Sequence, residues 1–172
     1  MPYTSTSDTI MHMQRLAHGR RGGQSLRVRL TVEGIVRDVT GRDIVSLASA
    51  LYDWFCARYT FLADPIDVEL IRDPESVLDD IETKGRFVGD CDDAATFLAG
   101  ALRSIGLSPV FVRVGFVPPL AGQKRGKYTH VFTAVRDQYD RLLALDPVAN
   151  SRTQKMLARS KQAAIGALEL RS

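Results

Sequence analysis

Gly89-Asp90-Cys91-Asp92-Asp93-Ala94-Ala95 decides how the rest of the chain is read, because it sets one cysteine at the expected first turn of a helix. A helix start carries four N–H groups without intrahelical partners and the positive end of the dipole, and both favour a thiolate. From Ala94 the apolar residues Ala94, Leu98, Ala101, Leu102 and Ile105 recur at helical spacing, and Gly106 suits the residue that closes the helix. A cysteine at the mouth of such a helix is where a thiol nucleophile would be built. The three neighbouring acids pull the other way, since carboxylates beside a thiol raise its pKa unless they point away. Asp90 fits an N-cap, while Asp92 and Asp93 fall in the first turn, where acids suit the dipole.

A thiol nucleophile needs a base, and the chain has three histidines, His12, His18 and His130. Only His130 lies in a strand-like run, Tyr128-Thr129-His130-Val131-Phe132-Thr133-Ala134-Val135. A polar turn over residues 136–140 separates it from Arg141-Leu142-Leu143-Ala144-Leu145-Asp146. A hairpin centred near Gln138 would set Asp146 opposite His130 on one face, with Cβ atoms about 5 Å apart. A carboxylate there orients the imidazole that takes the thiol proton.

The order Cys91, His130, Asp146 carries a resemblance. With GDCDDAATFLAGALRSIGL leading into a strand and THVF and LDP following, the chain resembles the transglutaminase-like superfamily of papain-like thiol enzymes over roughly residues 40–150. Ala50-Leu51-Tyr52-Asp53-Trp54-Phe55 and Asp64-Pro65 look like the helix and linker that precede the cysteine in that family. The resemblance implies an α+β fold with a papain-like, transglutaminase-like core, in which the Cys91 helix packs on a small antiparallel sheet and extra helices precede it. It also implies acyl transfer on amide bonds of a protein or peptide substrate, as peptidase-like or amidase-like hydrolysis or as transamidation. In that scheme Cys91 attacks the carbonyl, His130 moves the proton and Asp146 fixes the imidazole tautomer. The small form of the domain with its GDCDD signature looks most like versions encoded in bacteriophages and prophages. That points to a phage structural protein as a partner, and to the alternative of a catalytically silent virion or assembly protein that uses the fold for docking.

Composition bounds these readings. The chain has 172 residues, 45% of them hydrophobic, enough for one substantial core. No apolar run approaches the roughly 18 residues that span a bilayer, and the first residues lack a signal-peptide core, so a host-cytoplasmic setting without membrane contact is expected. The two cysteines, Cys56 and Cys91, suit a reducing compartment, with Cys56 in a packing role. There is no CxxC pair or HxxxH spacing for zinc. Asp79, Asp80, Asp90, Asp92 and Asp93 lack the calcium-loop pattern, so neither a metal nor a cofactor is expected.

The net charge of +3 conceals an uneven distribution. Residues 1–29 hold Arg15, Arg20, Arg21, Arg27 and Arg29 against Asp8. Residues 147–172 hold Arg152, Lys155, Arg159, Lys161 and Arg171 against Glu169. Basic ends around an acidic body imply either solvated tails or docking onto an acidic partner through the termini. Neither end interleaves aromatics to stack bases, which argues against a nucleic-acid module.

Three segments follow: a basic helical extension over 1–39, the transglutaminase-like domain over 40–150, and a basic helix or tail over 151–172 with Met156, Leu157, Ile165 and Leu168 on its apolar side. Within them the spacing predicts helices over 8–17 and 43–59, a short helix at 74–78 inside a long connector, and a strand over 109–117. Residues 25–39 fit both strand alternation and a helix face, with helix preferred. The basic stretch 118–127 is expected to overhang the cleft as a lid or substrate-contact loop.

Overall fold

Short polar side chains mark where the helices begin. In the computed structural model, which describes residues 6–64, 70–116, 128–148 and 163–169, helix α1 spans Thr6–His18. Helix α2 (Leu26–Val36) starts where Ser25 accepts the Val28 N–H, and α3 (Ile44–Cys56) where Asp43 accepts that of Ser46. Helix α4 (Pro74–Lys84) is capped by Asp73, carries proline in its first turn, and stops at Gly85, whose φ of 74° is left-handed. Asp90 caps α5 (Cys91–Ser104). Each such cap contributes about 1 kcal/mol.

Two sheets complete the fold. Strands β1 (Tyr59–Phe61) and β2 (Phe87–Gly89) form a short parallel pair. Strands β3 (Pro109–Phe116), β4 (Tyr128–Arg136), β5 (Leu142–Leu145) and β6 (Ala163–Glu169) form an antiparallel sheet in the order β5-β4-β3-β6. Helix α5 is the hub, buried at every residue except Cys91 and Arg103. One side of it packs with Leu51, Phe55, Val77, Phe87, Val135 and Leu145, and the Phe55 and Phe97 rings stack at 4.7 Å. Its other side packs with Ile10, Met13, Ala17, Phe111 and Val131. Truncating one of these buried phenylalanines would cost about 3–5 kcal/mol. Thr133 Oγ1 donates to the Ala95 carbonyl at 2.7 Å and ties β4 directly to α5.

Several expectations need correction. Helix α3 ends at Cys56, and Tyr59 opens β1, because Ala57 and Arg58 turn the chain into the β-prone triplet Tyr-Thr-Phe. The expected connector holds all of α4, where Val77, Leu78 and Ile81 bury one face, and then β2. The tail is a strand at Ala163–Glu169, where helix was expected. Its backbone covers the β3 edge that would otherwise expose unpaired N–H and C=O groups, and Gly166 in mid-segment weakens a helix. The remaining expectations for 118–127 and 151–162 lie outside the described residues.

Residues expected as an extension instead supply core. Val28, Val32 and Val36 of α2 are buried, as are Ile10, Met13 and Ala17 of α1. The basic charge there meets an acidic helix of the same chain: Arg21 pairs with Asp73 and Glu75, and Arg27 with Asp79 at 2.6 Å and Glu82 at 2.8 Å. Among the described residues no helix is long and apolar enough to cross a membrane.

Candidate active site

Cys91 is the first residue of α5, and the turn that delivers it is fixed from several directions. Strand β2 ends at Gly89, where an added Cβ would collide with the Asp93 carboxylate and lie 2.6 Å from the Phe87 ring, so only glycine fits. Asp90 is extended and accepts the Asp93 N–H. Asp92 Oδ1 accepts the same N–H at 2.8 Å, and Asp93 Oδ1 accepts the Arg72 N–H at 2.8 Å. Oxygens of Asp90, Asp92 and Asp93 come within 4.8 Å of one another, yet an oxygen of each accepts a backbone N–H, which is the work of a helix start. Tyr59 Oη donates to the carbonyls of Gly89 (3.1 Å) and Asp90 (3.0 Å).

Burial pushes the Cys91 thiol up to about 12. The N–H groups of Val131 and of Cys91 itself pull it back, and Asp90 and Asp92 push it further. The resting sulfur is therefore a thiol, not the thiolate that its helix position alone would favour. Asp93 is likewise raised, to about 6, chiefly by burial and partly by Asp90, against the opposing Arg72 N–H.

His130 and Asp146 meet on the hairpin. His130 Nε2 lies 2.7 Å from Asp146 Oδ2, and the two side chains are 11% and 9% exposed. With Asp146 ionised, Nε2 carries the proton and donates it, which leaves Nδ1 as the basic nitrogen. Asp146 Oδ1 accepts the Val148 N–H at 3.1 Å, and Tyr52 Oη donates to the Asp146 backbone carbonyl at 2.8 Å.

The register differs from expectation by two residues. Thr133 pairs with Leu145 and Arg136 with Leu142, so the turn centres on Tyr139 rather than Gln138. Asp137 bonds the Tyr139 and Arg141 N–H groups at 2.8 and 2.9 Å, and Asp140 takes a left-handed φ of 61°, the form of a three-residue hairpin loop. Continuing this register puts Asp146 across from Phe132, one diagonal step from His130. A slip of two keeps both on the same face.

The structure thus joins His130 to Asp146 and sets Cys91 against Val131, the neighbour of His130 on β4. No hydrogen bond links the thiol to the imidazole. A β-bulge between Val114 and Gly115 falls opposite His130, a device that re-aims side chains beside active sites. Cys56, the other cysteine, bonds the Tyr52 hydroxyl on α3. Sequence reasoning missed Tyr52, Tyr59 and Arg72. Their spacing carries no signal, since each acts on a segment distant in sequence.

The family model described as the transglutaminase-like superfamily matches residues 32–147. No curated protein matches the chain. Among solved structures, a "putative protease" from Parabacteroides distasonis is similar at a TM-score of 0.62 and 12% identity, covering 97% of this chain and 31% of that one. A "putative cysteine protease" from Cytophaga hutchinsonii is similar at a TM-score of 0.53 and 12% identity, covering 98% of this chain and 58% of the other. This chain therefore spans roughly a third and somewhat over half of those proteins.

Proposed function

This chain belongs to the transglutaminase-like superfamily, and from that membership we propose that it carries out thiol-dependent acyl transfer on amide bonds of a protein or peptide, with Cys91, His130 and Asp146 as its catalytic groups. The observation that carries the reading is the 2.7 Å His130–Asp146 bond, formed on the sheet beside the helix that Cys91 opens. Asp146 holds the Nε2–H tautomer, so Nδ1 takes the Cys91 proton as sulfur attacks the carbonyl. The proton then passes from Nδ1 to the leaving amine. Water or a second amine, deprotonated by Nδ1, attacks the thioester and releases Cys91. The Cys91 N–H, at the helix start, serves as one donor for the oxyanion. Water is the default acceptor because it is abundant, so hydrolysis is the first activity to seek. The prophage setting and a phage structural partner belong to this proposal through the Gly89–Asp93 signature alone.

One observation favours a second reading. A half-buried thiol pushed up to about 12, with no bond to the imidazole, suits a scaffold that keeps the fold and has lost the chemistry. Acylation separates the two. With p-nitrophenyl acetate as donor, an active chain gives a burst of p-nitrophenolate and an acetyl group on Cys91, found by mass spectrometry and absent from His130→Ala. A silent scaffold acetylates Cys91 no more than Cys56.

A further inference from the structure

Tyr52, near the end of α3, and Tyr59, at the start of β1, are seven residues apart, yet their hydroxyls reach opposite halves of the site. Tyr52 Oη donates to the backbone carbonyl of Asp146 at 2.8 Å. Tyr59 Oη donates to the carbonyls of Gly89 and Asp90, the two peptide units that lead into Cys91. Each ring is seated independently of its hydroxyl. Tyr59 stacks on Phe55 at 5.3 Å and on Phe87 at 6.2 Å, and Tyr52 packs against the main core. Burial holds both phenols above their ordinary pKa, so both stay donors through the neutral range.

Packing therefore anchors the rings, and the hydroxyls do something else. We infer that residues 52–59 act as a gauge for the separation of Cys91 from His130, with Tyr52 and Tyr59 as positioning residues for the acyl transfer proposed above, on which this inference rests. The Tyr59 contact fixes the turn that carries the thiol. The Tyr52 contact fixes the backbone of the residue whose carboxylate grips His130 Nε2. One stiff helix-to-strand segment thus spans both halves. A shift of about 1 Å between reacting groups can cost as much as about a hundredfold in rate, so a gauge of this kind is worth having.

The test uses iodoacetamide at pH 7 and reads the rate at Cys91 by mass spectrometry, in a Cys56→Ala background because Cys56 touches the Tyr52 hydroxyl. Tyr59→Phe keeps the stacked ring and should slow Cys91 labelling about tenfold, and Tyr52→Phe about threefold, with little change in thermal midpoint. Once His130→Ala is present, neither phenylalanine substitution should slow it further, because no base is left to misalign. Labelling at the starting rate in both phenylalanine variants would overturn the inference. So would equal slowing with and without His130, or loss of folding, since either would make the hydroxyls ordinary scaffold. If His130→Ala alone leaves the rate unchanged, the acyl-transfer reading falls and the gauge falls with it. If His130→Ala slows labelling and the tyrosine variants do not, only the gauge falls.

Discussion

The two halves of the site differ in how ready they are. On the hairpin, His130 and Asp146 are already paired at 2.7 Å, and the carboxylate is held by the Val148 N–H. At the start of α5, Cys91 is well placed along the chain, but its thiol, beside Asp90 and Asp92, is pushed up to about 12. Magnitudes explain the contrast. A rise from about 9 to about 12 corresponds to roughly 4 kcal/mol against the thiolate, several times the roughly 0.3–1 kcal/mol that a helix terminus usually supplies. The helix start is therefore not the activator. In the proposed reaction proton transfer to His130 does that work, so the proposal needs both halves acting together.

The widest break in this comparison would come from either half alone. Cys91→Ala and His130→Ala should each abolish turnover while leaving the fold intact, and the double variant should be no worse than either single one, because the groups act as a unit. Turnover measured in all three chains decides it, and activity surviving in Cys91→Ala would remove the nucleophile assignment. Asp146→Asn comes next. It leaves thiol and imidazole in place but favours the wrong tautomer, so activity should fall by roughly two to four orders of magnitude. A change within a few-fold would make Asp146 merely the residue before the Pro147 turn.

Smaller effects sharpen the picture of the cysteine half. Asp93 is raised to about 6 in the folded chain, against about 4 when unfolded. Between those values the folded chain binds more protons, so Asp93 makes stability fall as pH rises, with the full cost present above about 6. Asp93→Asn keeps an acceptor for the Arg72 N–H and removes the charge. Denaturant titrations should show that pH-dependent fall disappear, with a gain of about 1–3 kcal/mol at pH 7. A variant less stable at pH 7 would show that the ionised carboxylate is needed to grip the 70–73 segment. Asp92→Asn should have the smallest effect, lowering the Cys91 pKa through loss of a neighbouring charge. Ultraviolet thiolate absorbance measures it, and an unchanged or higher value would leave burial and Asp90 as the causes.

What could be read from the chain follows the range of each interaction. The Ala94, Leu98, Ala101, Leu102 stripe marks α5 because a helix periodicity is local, and the Asp90 cap is visible three residues from its Asp93 partner. The partnership of His130 with Asp146 survives a register error because strands repeat every two residues; a slip of one would have lost it. Long-range contacts leave no such trace. Tyr52 meets a carbonyl 94 positions away and Tyr59 one 30 positions away, and nothing in their local pattern sets them apart from core aromatics. Arg27 likewise finds Asp79 52 positions on, so a basic end that suggests an outside partner meets acids of its own chain. Over Ala163–Glu169 the outcome depends on the open edge of β3, a partner more than 40 residues away. Nor can sequence reveal how deeply a thiol is buried, and that term sets the state of Cys91.

The most direct measurement is the rate of Cys91 alkylation by iodoacetamide as a function of pH, in the native chain and in His130→Ala. If His130 draws the proton from the Cys91 thiol, the native chain shows a reactive limb near neutral pH that the variant lacks, and the variant reacts only as pH climbs toward about 12. Two superimposed profiles, each with a single rise toward about 12, would contradict the catalytic pairing and leave Cys91 an inert thiol at the start of a well-capped helix.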